Sequence, residues 1–364
     1  MKEVALPRSP MKLHEQTLRL GAIAIDFPVV QAALSGYSDW AMRVIARRLG
    51  APYTLCEVML DKLLVEMGNG KKARRALHVT DEEHPVGGQL MGANPDDFGP
   101  AAQRLVEAGF DVVDINFGCP VKKVLGRCRG GFLLSQVDTA LEIVARVRDA
   151  VPAAVPVTLK MRRGMDDTAE SRDNFFQIFD GAFDRGVAAV TVHGRTVEQR
   201  YIGPSRWEFL REVKLHAPRR TVLGSGDLFT PQACLDMMRE TGVDGVTAAR
   251  GAIGNPWIFS QARALAAGRP LPDPPSLFEQ RDTIAEHYRL AEQIYGPERC
   301  GRQMRKFGIK YSQLHPRAKE VRDAFVAVSR PGQWRLVLDK FYAEDLPGQH
   351  PSPAVDEPLT CDAM

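Results

Sequence analysis

A repeated order of short apolar strand, Gly/Asn/Asp-rich turn and amphipathic helix fills the first three-quarters of this 364-residue chain. Eight segments have the length and apolar content of buried strands, at residues 27–34, 53–59, 86–91, 112–116, 155–161, 189–193, 221–224 and 245–249. Eight strands that alternate with helices over about 250 residues are typical of a closed (β/α)8 barrel. We therefore predict a TIM barrel over residues 1–268.

An open, doubly wound sheet would show the same alternation and is the second choice. Such a sheet usually has a Gly-x-Gly-x-x-Gly turn after its first strand, whereas this chain has Ala33-Leu34-Ser35-Gly36 there. Apolar residues recur at helical spacing in three of the gaps between strands, at 96–108, 138–150 and 231–241. Asp96, Asp138 and Thr230 are the expected N-caps of these helices.

A proline-rich segment at residues 269–275 ends the repeated pattern. Its proline density excludes a helix and favours a stiff linker. Beyond the linker the sequence predicts helices only, at 277–295, 298–314, 318–328 and 331–342. Residues 276–346 are therefore expected to form a small all-α bundle. Residues 347–364 are rich in Pro, Asp and Glu and are predicted to be disordered.

Composition favours a soluble globular protein, with 44% hydrophobic and 26% charged residues. No apolar run is long enough to span a bilayer, and the first 20 residues lack the apolar core of a signal peptide. The cysteines, at positions 56, 119, 128, 234, 300 and 361, form no Cys-x-x-Cys pair or Cys/His cluster. This spacing argues against a zinc site and favours a reducing cytoplasm. We expect a monomer with no metal and no membrane partner.

One thiol lies at the tip of the fourth predicted strand. The apolar run that includes Val112, Val113 and Ile115 ends at Gly118-Cys119-Pro120, where glycine allows a turn and proline stops a strand. Parallel α/β folds place their chemistry at the C-terminal ends of strands. Cys119 is therefore a candidate catalytic residue. The alternative is a small buried hydrophobic residue, which is the usual state of a free cysteine.

Polar residues and glycines stand at five further strand ends: Gln89, Lys160, His193, Ser225-Gly226-Asp227 and Arg250-Gly251. An amide, a lysine and a histidine at one end of a barrel could hydrogen-bond the polar edge of a flavin ring, and a lysine would stabilise the reduced anion. The last two turns match the phosphate-binding position of many barrels. Each residue could instead serve only the fold, but their recurrence at successive strand ends favours a common site.

Four segments together resemble the tRNA-dihydrouridine synthases, especially the bacterial branch with a Gly-Cys-Pro-x-Lys-Lys-Val signature. They are residues 116–123 around Cys119, 159–162 with Lys160 and Arg162, 192–196 with His193, and 250–257 from Arg250 onward. The resemblance runs from about residue 29 through 259 and continues more loosely into 304–311. It implies an FMN-dependent barrel that takes electrons from NADPH or NADH, and a helical domain that helps to bind tRNA.

The resemblance also implies roles for individual residues. Cys119 matches the catalytic cysteine, which would protonate uracil C5 after reduced FMN passes hydride to C6. Asn116 matches an asparagine near the uracil, and Arg162 is expected to contact the substrate as well. The matches to flavin-ring contacts are Gln89, Lys160 and His193, and those to the ribityl-phosphate contacts are Gly226, Asp227, Arg250 and Gly251. Ala33, Leu34 and Ser225 occupy positions of the family's Ala-Pro-Met-Ala-Gly and Asn-Gly-Asp motifs and are expected to line the flavin site.

A basic cluster lies beyond the linker. Residues 299–322 contain eight Lys or Arg and one Glu, a net charge of +7 in a chain whose total is +3. Such a surface beside a flavin site favours contact with phosphates over a merely solvated helix face. The expected tRNA contacts in this cluster are Arg302, Arg305, Lys306 and Lys310. The target uracil must leave its stack to reach a barrel, which favours a tRNA loop.

The sequence therefore predicts a tRNA-dihydrouridine synthase that reduces the C5–C6 double bond of specific uridines. Two alternatives remain at this stage. A flavin-dependent dehydrogenase of the dihydroorotate type, acting on a free pyrimidine, would use the same barrel but need no basic helical domain. A family member that has lost activity would bind tRNA without turnover.

Overall fold

A closed barrel of eight parallel strands forms the centre of the computed structural model, which describes residues 17–68, 70–330 and 332–351. A short antiparallel hairpin precedes the barrel, formed by β1 (Leu18–Leu20) and β2 (Ile23–Ile25). The barrel strands are β3 (Val29–Gln31), β4 (Thr54–Leu60), β5 (Val86–Met91), β6 (Val112–Phe117), β7 (Val157–Arg162), β8 (Ala189–His193), β9 (Val222–Ser225) and β10 (Gly245–Ala248). Because β10 pairs with both β9 and β3, the sheet has no free edge. The predicted (β/α)8 architecture is confirmed, and the open sheet is excluded.

Helices cover the outside of the barrel between successive strands. They are α1 (Trp40–Arg48), α2 (Asp61–Glu66), α3 (Lys71–Ala76), α4 (Pro95–Glu107), α5 (Lys122–Leu125), α6 (Val137–Ala150), α7 (Ala169–Asp184), α8 (Trp207–His216), α9 (Pro231–Thr241) and α10 (Ile258–Ala266). Their apolar faces pack on outward-facing strand residues such as Val113, Ile115 and Leu159, which are fully buried.

The N-caps are only partly as predicted. Thr230 caps α9, because its hydroxyl accepts the N–H of Ala233 at 3.1 Å. The prediction of Asp96 was wrong, since α4 begins at a proline and Asn94 is its N-cap. Proline suits the first helical position because its φ is already helical and it lacks the N–H that would go unsatisfied there. The prediction of Asp138 was also wrong, because α6 begins one residue earlier and has no side-chain cap.

The N-terminal hairpin closes the bottom of the barrel. Leu18, Leu20 and Ile25 are buried and pack against inward-facing barrel residues that include Val30 and Val112. This cluster fills the lower barrel with apolar side chains and leaves polar residues to the other end. The sequence analysis did not predict the hairpin, because two strands of three residues are too short to show a period.

Four further helices follow a segment, residues 269–276, that contains neither helix nor strand. They are α11 (Leu277–Tyr295), α12 (Pro297–Tyr311), α13 (Ala318–Val326) and α14 (Gln333–Phe341). These C-terminal helices contact the barrel: Arg48 of α1 pairs with Glu286 at 2.6 Å, and the Tyr295 hydroxyl donates to Asp39 at 2.8 Å.

The packed chain continues beyond residue 347, where disorder was predicted to begin. The Leu277 N–H donates to the carbonyl of Leu346 at 2.9 Å, and the Gln349 N–H donates to the carbonyl of Leu314 at 2.8 Å. The rest of the predicted tail, residues 352–364, lies outside the described residues.

Candidate active site

The register of the parallel strands brings the predicted site residues together. Asn116 on β6 is level with Lys160 on β7, Arg162 is level with His193 on β8, and His193 is level with Ser225 on β9. Residues that are level on neighbouring strands point to the same side of the sheet. These side chains therefore converge at the C-terminal ends of the barrel strands, which we call the mouth.

Two carboxamides at the mouth are held by a buried carboxylate. Gln89 Nε2 donates to Asp114 Oδ2 at 2.6 Å, and Asn116 Nδ2 donates to Gln89 Oε1 at 2.8 Å. Asp114 is 2% exposed, and burial raises the pKa of its carboxyl. Gln89 and Asn116 each retain one amide N–H for a ligand. The sequence analysis did not identify Asp114, which sits within an apolar strand and gives no sign of its partners.

The loop that carries Cys119 is fixed through its backbone. Asn116 Oδ1 accepts the N–H groups of Gly118 and Cys119 at 2.9 and 3.1 Å, and the Cys119 carbonyl accepts the Gly131 N–H at 3.1 Å. Gly130 has φ +58°, and a Cβ there would lie only 2.8 Å from the Cys119 Cβ. The chain can pass this close to the cysteine only because residue 130 is glycine. Cys119 thus lies half-buried just beyond β6, at the predicted position.

Lys160 and His193 present hydrogen-bond donors to the mouth. Burial, with help from Arg162, lowers the pKa of Lys160 to about 8, and its ammonium makes no hydrogen bond to any described residue. Burial, with further contributions from nearby cations, lowers the pKa of His193 well below its usual range. His193 Nδ1 accepts the N–H of Arg195 at 3.1 Å. The neutral ring therefore carries its proton on Nε2, which is left to donate to a ligand.

The turns after β9 and β10 suit an anionic group. Gly226 has φ +115° and Gly251 packs so closely on Leu228 that a Cβ would lie 2.2 Å from its carbonyl oxygen. Arg250 lies with its guanidinium 4.9 Å from the ring centre of Tyr201 and 4.8 Å from that of Phe229. Glycine backbone and an arginine braced by two rings form the kind of cradle that holds a phosphate.

Asp227, for which the resemblance implied a ribityl-phosphate contact, has partners inside the protein. Its carboxylate pairs with Arg195 at 2.8 Å, where the arginine side chain is 1% exposed, and it also accepts the N–H of Ser205 at 2.7 Å. The carboxylate also lies 3.6 Å from Nη2 of Arg250, so it holds the turn beside that arginine. Arg195 lies in the segment 192–196 that carries the resemblance, but nothing in the sequence indicates that it pairs with Asp227.

Arg162 chiefly connects two loops. Its Nε donates to the carbonyl of Gly118 at 2.9 Å, and Nη1 donates to the carbonyls of Thr196 and Arg200 at 2.8 and 2.7 Å. Nη2 makes no hydrogen bond to any described residue and is the part of the side chain left for a substrate. Arg162 thus ties the Cys119 loop to the loop after β8.

The remaining predicted flavin-site residues occupy the ends of β3 and β9. Ala33 and Leu34 are half-buried in the loop after β3, where the Leu34 N–H donates to Ser38 Oγ at 2.8 Å. Ser225 is 2% exposed, and its carbonyl accepts the N–H of Gly194 at 3.3 Å. All three therefore lie at the mouth, around the same opening as Lys160.

The four expected tRNA contacts lie on α12 and differ in their exposure. Arg302 and Arg305 are exposed, and Lys310 is half-buried. Lys306 instead turns to the barrel, where its ammonium donates to the carbonyl of Gly36 and lies 5.2 Å from the ring centre of Tyr37. Lys306, one of the four expected tRNA contacts, therefore contacts the loop after β3.

Lys306→Glu is expected to lower the free energy of unfolding by about 1.5–3 kcal/mol, because a charged donor to the Gly36 carbonyl is replaced by an acceptor. The new carboxylate would also face Glu57, whose pKa burial raises and Lys306 lowers. Urea denaturation measures the change. The matched control is Arg305→Glu on the same helix, an exposed site where a change within about 0.5 kcal/mol is expected. Equal stability of the two variants would contradict the inward role of Lys306.

Several features are absent from the part of the chain that the structure describes. No three or more His, Cys, Asp or Glu side chains there are placed to hold a metal ion. No described helix is both long and apolar enough to cross a membrane. No disulfide joins the described cysteines, at positions 56, 119, 128, 234 and 300.

Comparison with known proteins assigns the family. The dihydrouridine synthase family model matches residues 30–344. tRNA-dihydrouridine synthase B of Xanthomonas campestris pv. campestris is 34% identical over 339 residues, which are 92% of this chain and 98% of that protein. A probable tRNA-dihydrouridine synthase of Mycobacterium tuberculosis is 33% identical and covers 89% of this chain and 84% of its own length.

Solved structures of low sequence identity share the fold. Morphinone reductase in complex with tetrahydroNAD matches with a TM-score of 0.52 at 14% identity, over 72% of this chain and 92% of its own. Histamine dehydrogenase from Rhizobium sp. 4-9 matches with a TM-score of 0.56 at 15% identity, over 76% and 51%. These two likenesses show the fold alone, whereas the family model and the curated relatives assign the family. The chain belongs to the dihydrouridine synthase family.

Proposed function

We propose that this protein is a tRNA-dihydrouridine synthase that reduces the C5–C6 double bond of specific uridines in tRNA, with FMN as cofactor and NADPH or NADH as electron donor. The observation that carries the proposal is the position of Cys119, half-buried beyond β6 at the same mouth as Lys160 and His193. The relatives named as tRNA-dihydrouridine synthases support tRNA as the substrate.

The residues at the mouth fit FMN. Lys160 and the Nε2–H of His193 are donors suited to the flavin ring, and the Gly226 and Gly251 turns with Arg250 suit its phosphate. Gln89 would contribute its remaining amide N–H. When bound, FMN would supply hydride to uracil C6.

The protein's own residues would orient the base and deliver the proton. The Cys119 thiol would protonate C5, because thiols with a reference pKa of about 8.5 are mostly protonated at neutral pH and can still act as acids. Asn116 would present its remaining N–H to the uracil, and Arg162 its Nη2 group. The backbone hydrogen bonds of the Cys119 loop would keep the thiol in place while the base enters.

The exposed part of the basic cluster would bind tRNA phosphates. Arg302 and Arg305 are the exposed residues among the four expected tRNA contacts, and Lys310 lies further along α12. Such contacts position the nucleic acid without reading its sequence. Since the substrate is tRNA and the described cysteines are free thiols, we place the reaction in the cytoplasm.

The direct test is to map dihydrouridine by mass spectrometry in tRNA from cells with and without this protein. We expect one or more uridines to remain unreduced in its absence. Purified protein with FMN and a nicotinamide donor should then reduce these uridines to dihydrouridine. Free uridine should not be reduced under the same conditions. Unchanged dihydrouridine content would overturn the proposal, and turnover of free uridine at a similar rate would favour a dehydrogenase for free pyrimidines.

Lys160→Ala is expected to weaken FMN binding to the apoprotein about 10–100-fold, through loss of a charged donor to the flavin. In the wild type the FMN affinity should fall as the pH rises past about 8, because the lowered pKa of Lys160 makes the amine neutral there. The variant should lack this pH dependence. Fluorescence titration of apoprotein with FMN measures both, with the exposed Lys62→Ala as control. If the wild type and Lys160→Ala bind FMN with equal affinity at all pH values, Lys160 has only a structural role.

A further inference from the structure

A row of buried polar side chains crosses the barrel interior and ends at the Cys119 loop. Thr158 Oγ1 donates to Asp114 Oδ1 at 2.5 Å, and Gln89 Nε2 donates to Asp114 Oδ2 at 2.6 Å. Asn116 Nδ2 then donates to Gln89 Oε1 at 2.8 Å. The four side chains belong to three neighbouring strands, and each residue is no more than 9% exposed. We call Thr158, Asp114, Gln89 and Asn116 the polar relay.

Asp114 sets the direction of every hydrogen bond in the polar relay. The Asp114 carboxylate accepts at both oxygens, from the Thr158 hydroxyl at Oδ1 and from Gln89 Nε2 at Oδ2. The other end of the Gln89 amide is then an acceptor. Asn116 must therefore present Nδ2 to Gln89, which leaves its Oδ1 for the loop.

The direction of the relay matters because of what lies at its end. Asn116 Oδ1 accepts two backbone N–H groups, those of Gly118 and Cys119. A reversed Asn116 amide would place NH2 against both of these donors. Buried donors without an acceptor are costly, so the loop would move until its N–H groups found other partners.

We propose that Asp114 is a positioning residue, whose carboxylate acts through Gln89 and Asn116 to hold the Cys119 loop in its reactive place. Asp114 has no direct contact with the thiol; it decides which atom of each amide faces which neighbour. A displacement of the reacting group by about 1 Å can cost about 10²-fold in rate. The catalytic consequence rests on the proposed function, whereas the placement of the loop does not.

An exchange of the carboxylate at position 114 with the carboxamide at position 116 tests this role. In Asn116→Asp alone, the new carboxylate still accepts the loop N–H groups, but its second oxygen faces the acceptor end of Gln89. Adding Asp114→Asn lets the introduced amide donate to Gln89, which then turns and donates to the carboxylate at position 116. Thr158 still donates to the new amide oxygen. The two hydrogen bonds of the Gln89 amide are then restored in the opposite direction, and that of Thr158 keeps its direction.

The measurement is the rate at which iodoacetamide alkylates Cys119 in the flavin-loaded protein at pH 8, followed by mass spectrometry of the Cys119 peptide. We expect Asn116→Asp to raise this rate about tenfold, because a buried hydrogen bond is removed and the loop loosens. The double variant should return to within about twofold of the wild type. If only local packing held the loop, the second substitution would not return the alkylation rate to that of the wild type.

The proposal is overturned if Asn116→Asp alkylates like the wild type, or if the double variant is no slower than the single one. If Asn116→Asp does not fold, Gln89→Met interrupts the same relay at its centre. That variant should also alkylate about tenfold faster, and an unchanged rate would equally overturn the proposal. Alkylation needs no tRNA, so failure of the tRNA assay and failure of this inference are distinguishable.

Discussion

Replacement of Cys119 by alanine is expected to slow the reduction of tRNA by about 10²–10⁴-fold, the usual contribution of a general acid. The thiol is the group we assign to protonation of uracil C5, and its loop is held by Asn116 and Gly131 through the backbone. Alanine keeps those backbone bonds. The fold and the bound flavin should therefore be retained. Single-turnover reduction of unmodified tRNA by the pre-reduced protein measures the effect on the chemical step.

Cys128→Ala is the matched control for removal of the Cys119 thiol. Cys128 lies nine residues further on, in the same connection between β6 and α6, but its side chain is exposed. A similar rate in this variant and the wild type would show that the effect belongs to one thiol. Near-wild-type single turnover by Cys119→Ala would remove the cysteine from the mechanism and leave another proton donor to be found.

Charge reversal of Arg302 and Arg305 to glutamate is expected to weaken tRNA binding by about 10–100-fold near 0.1 M salt. The two arginines are exposed on α12, within the basic cluster. The dependence of the binding constant on salt should become shallower by roughly one unit for each tRNA phosphate that the variant no longer binds. The flavin spectrum and its reduction by the nicotinamide donor should remain, because they belong to the barrel. A salt titration of tRNA binding measures the change.

Lys306 is left out of that variant because it contacts Gly36 and its reversal would disturb the barrel. The control for the change in charge is Arg219→Glu with Arg239→Glu. Both residues are exposed and precede the N-terminal ends of β9 and β10, opposite the mouth. If the two double variants bind tRNA alike across the titration, the cluster on α12 is a solvated surface and does not contact tRNA.

The barrel could be predicted because the information for each strand is local. All eight predicted strands overlap the observed barrel strands, and those at Val86–Met91 and Ala189–His193 match at both ends. Parallel strands buried on both faces are continuous apolar runs, and Gly, Pro and Asn mark where each one ends. Errors fell where the local signal is weak, as at the hairpin of β1 and β2 and at two of the three N-caps.

The sequence predicted where the site residues lie, because the ends of the strands locate them, but not which residues they contact. Lys160, His193 and Cys119 lie at the mouth because they follow apolar runs, and the C-terminal ends of parallel strands share one side of a barrel. Their hydrogen-bond partners were not predictable in this way. Asp227 pairs with Arg195, and Arg162 donates three hydrogen bonds to loop carbonyls. Such pairings depend on which loops meet above the barrel.

The amino-acid sequence by itself determined the eightfold alternation, the cysteine at a strand tip and the local excess of basic charge, since each is a property of neighbouring residues. Only the tertiary structure decided what those residues face. Asp114 directs Gln89 and Thr158 from positions 25 and 44 residues away, and Lys306 reaches a carbonyl 270 residues away. Strand register and helix docking create these contacts, and neither leaves a period or a motif in the sequence. In the sequence, Lys306 is therefore indistinguishable from a surface cation, and only the fold turns it inward.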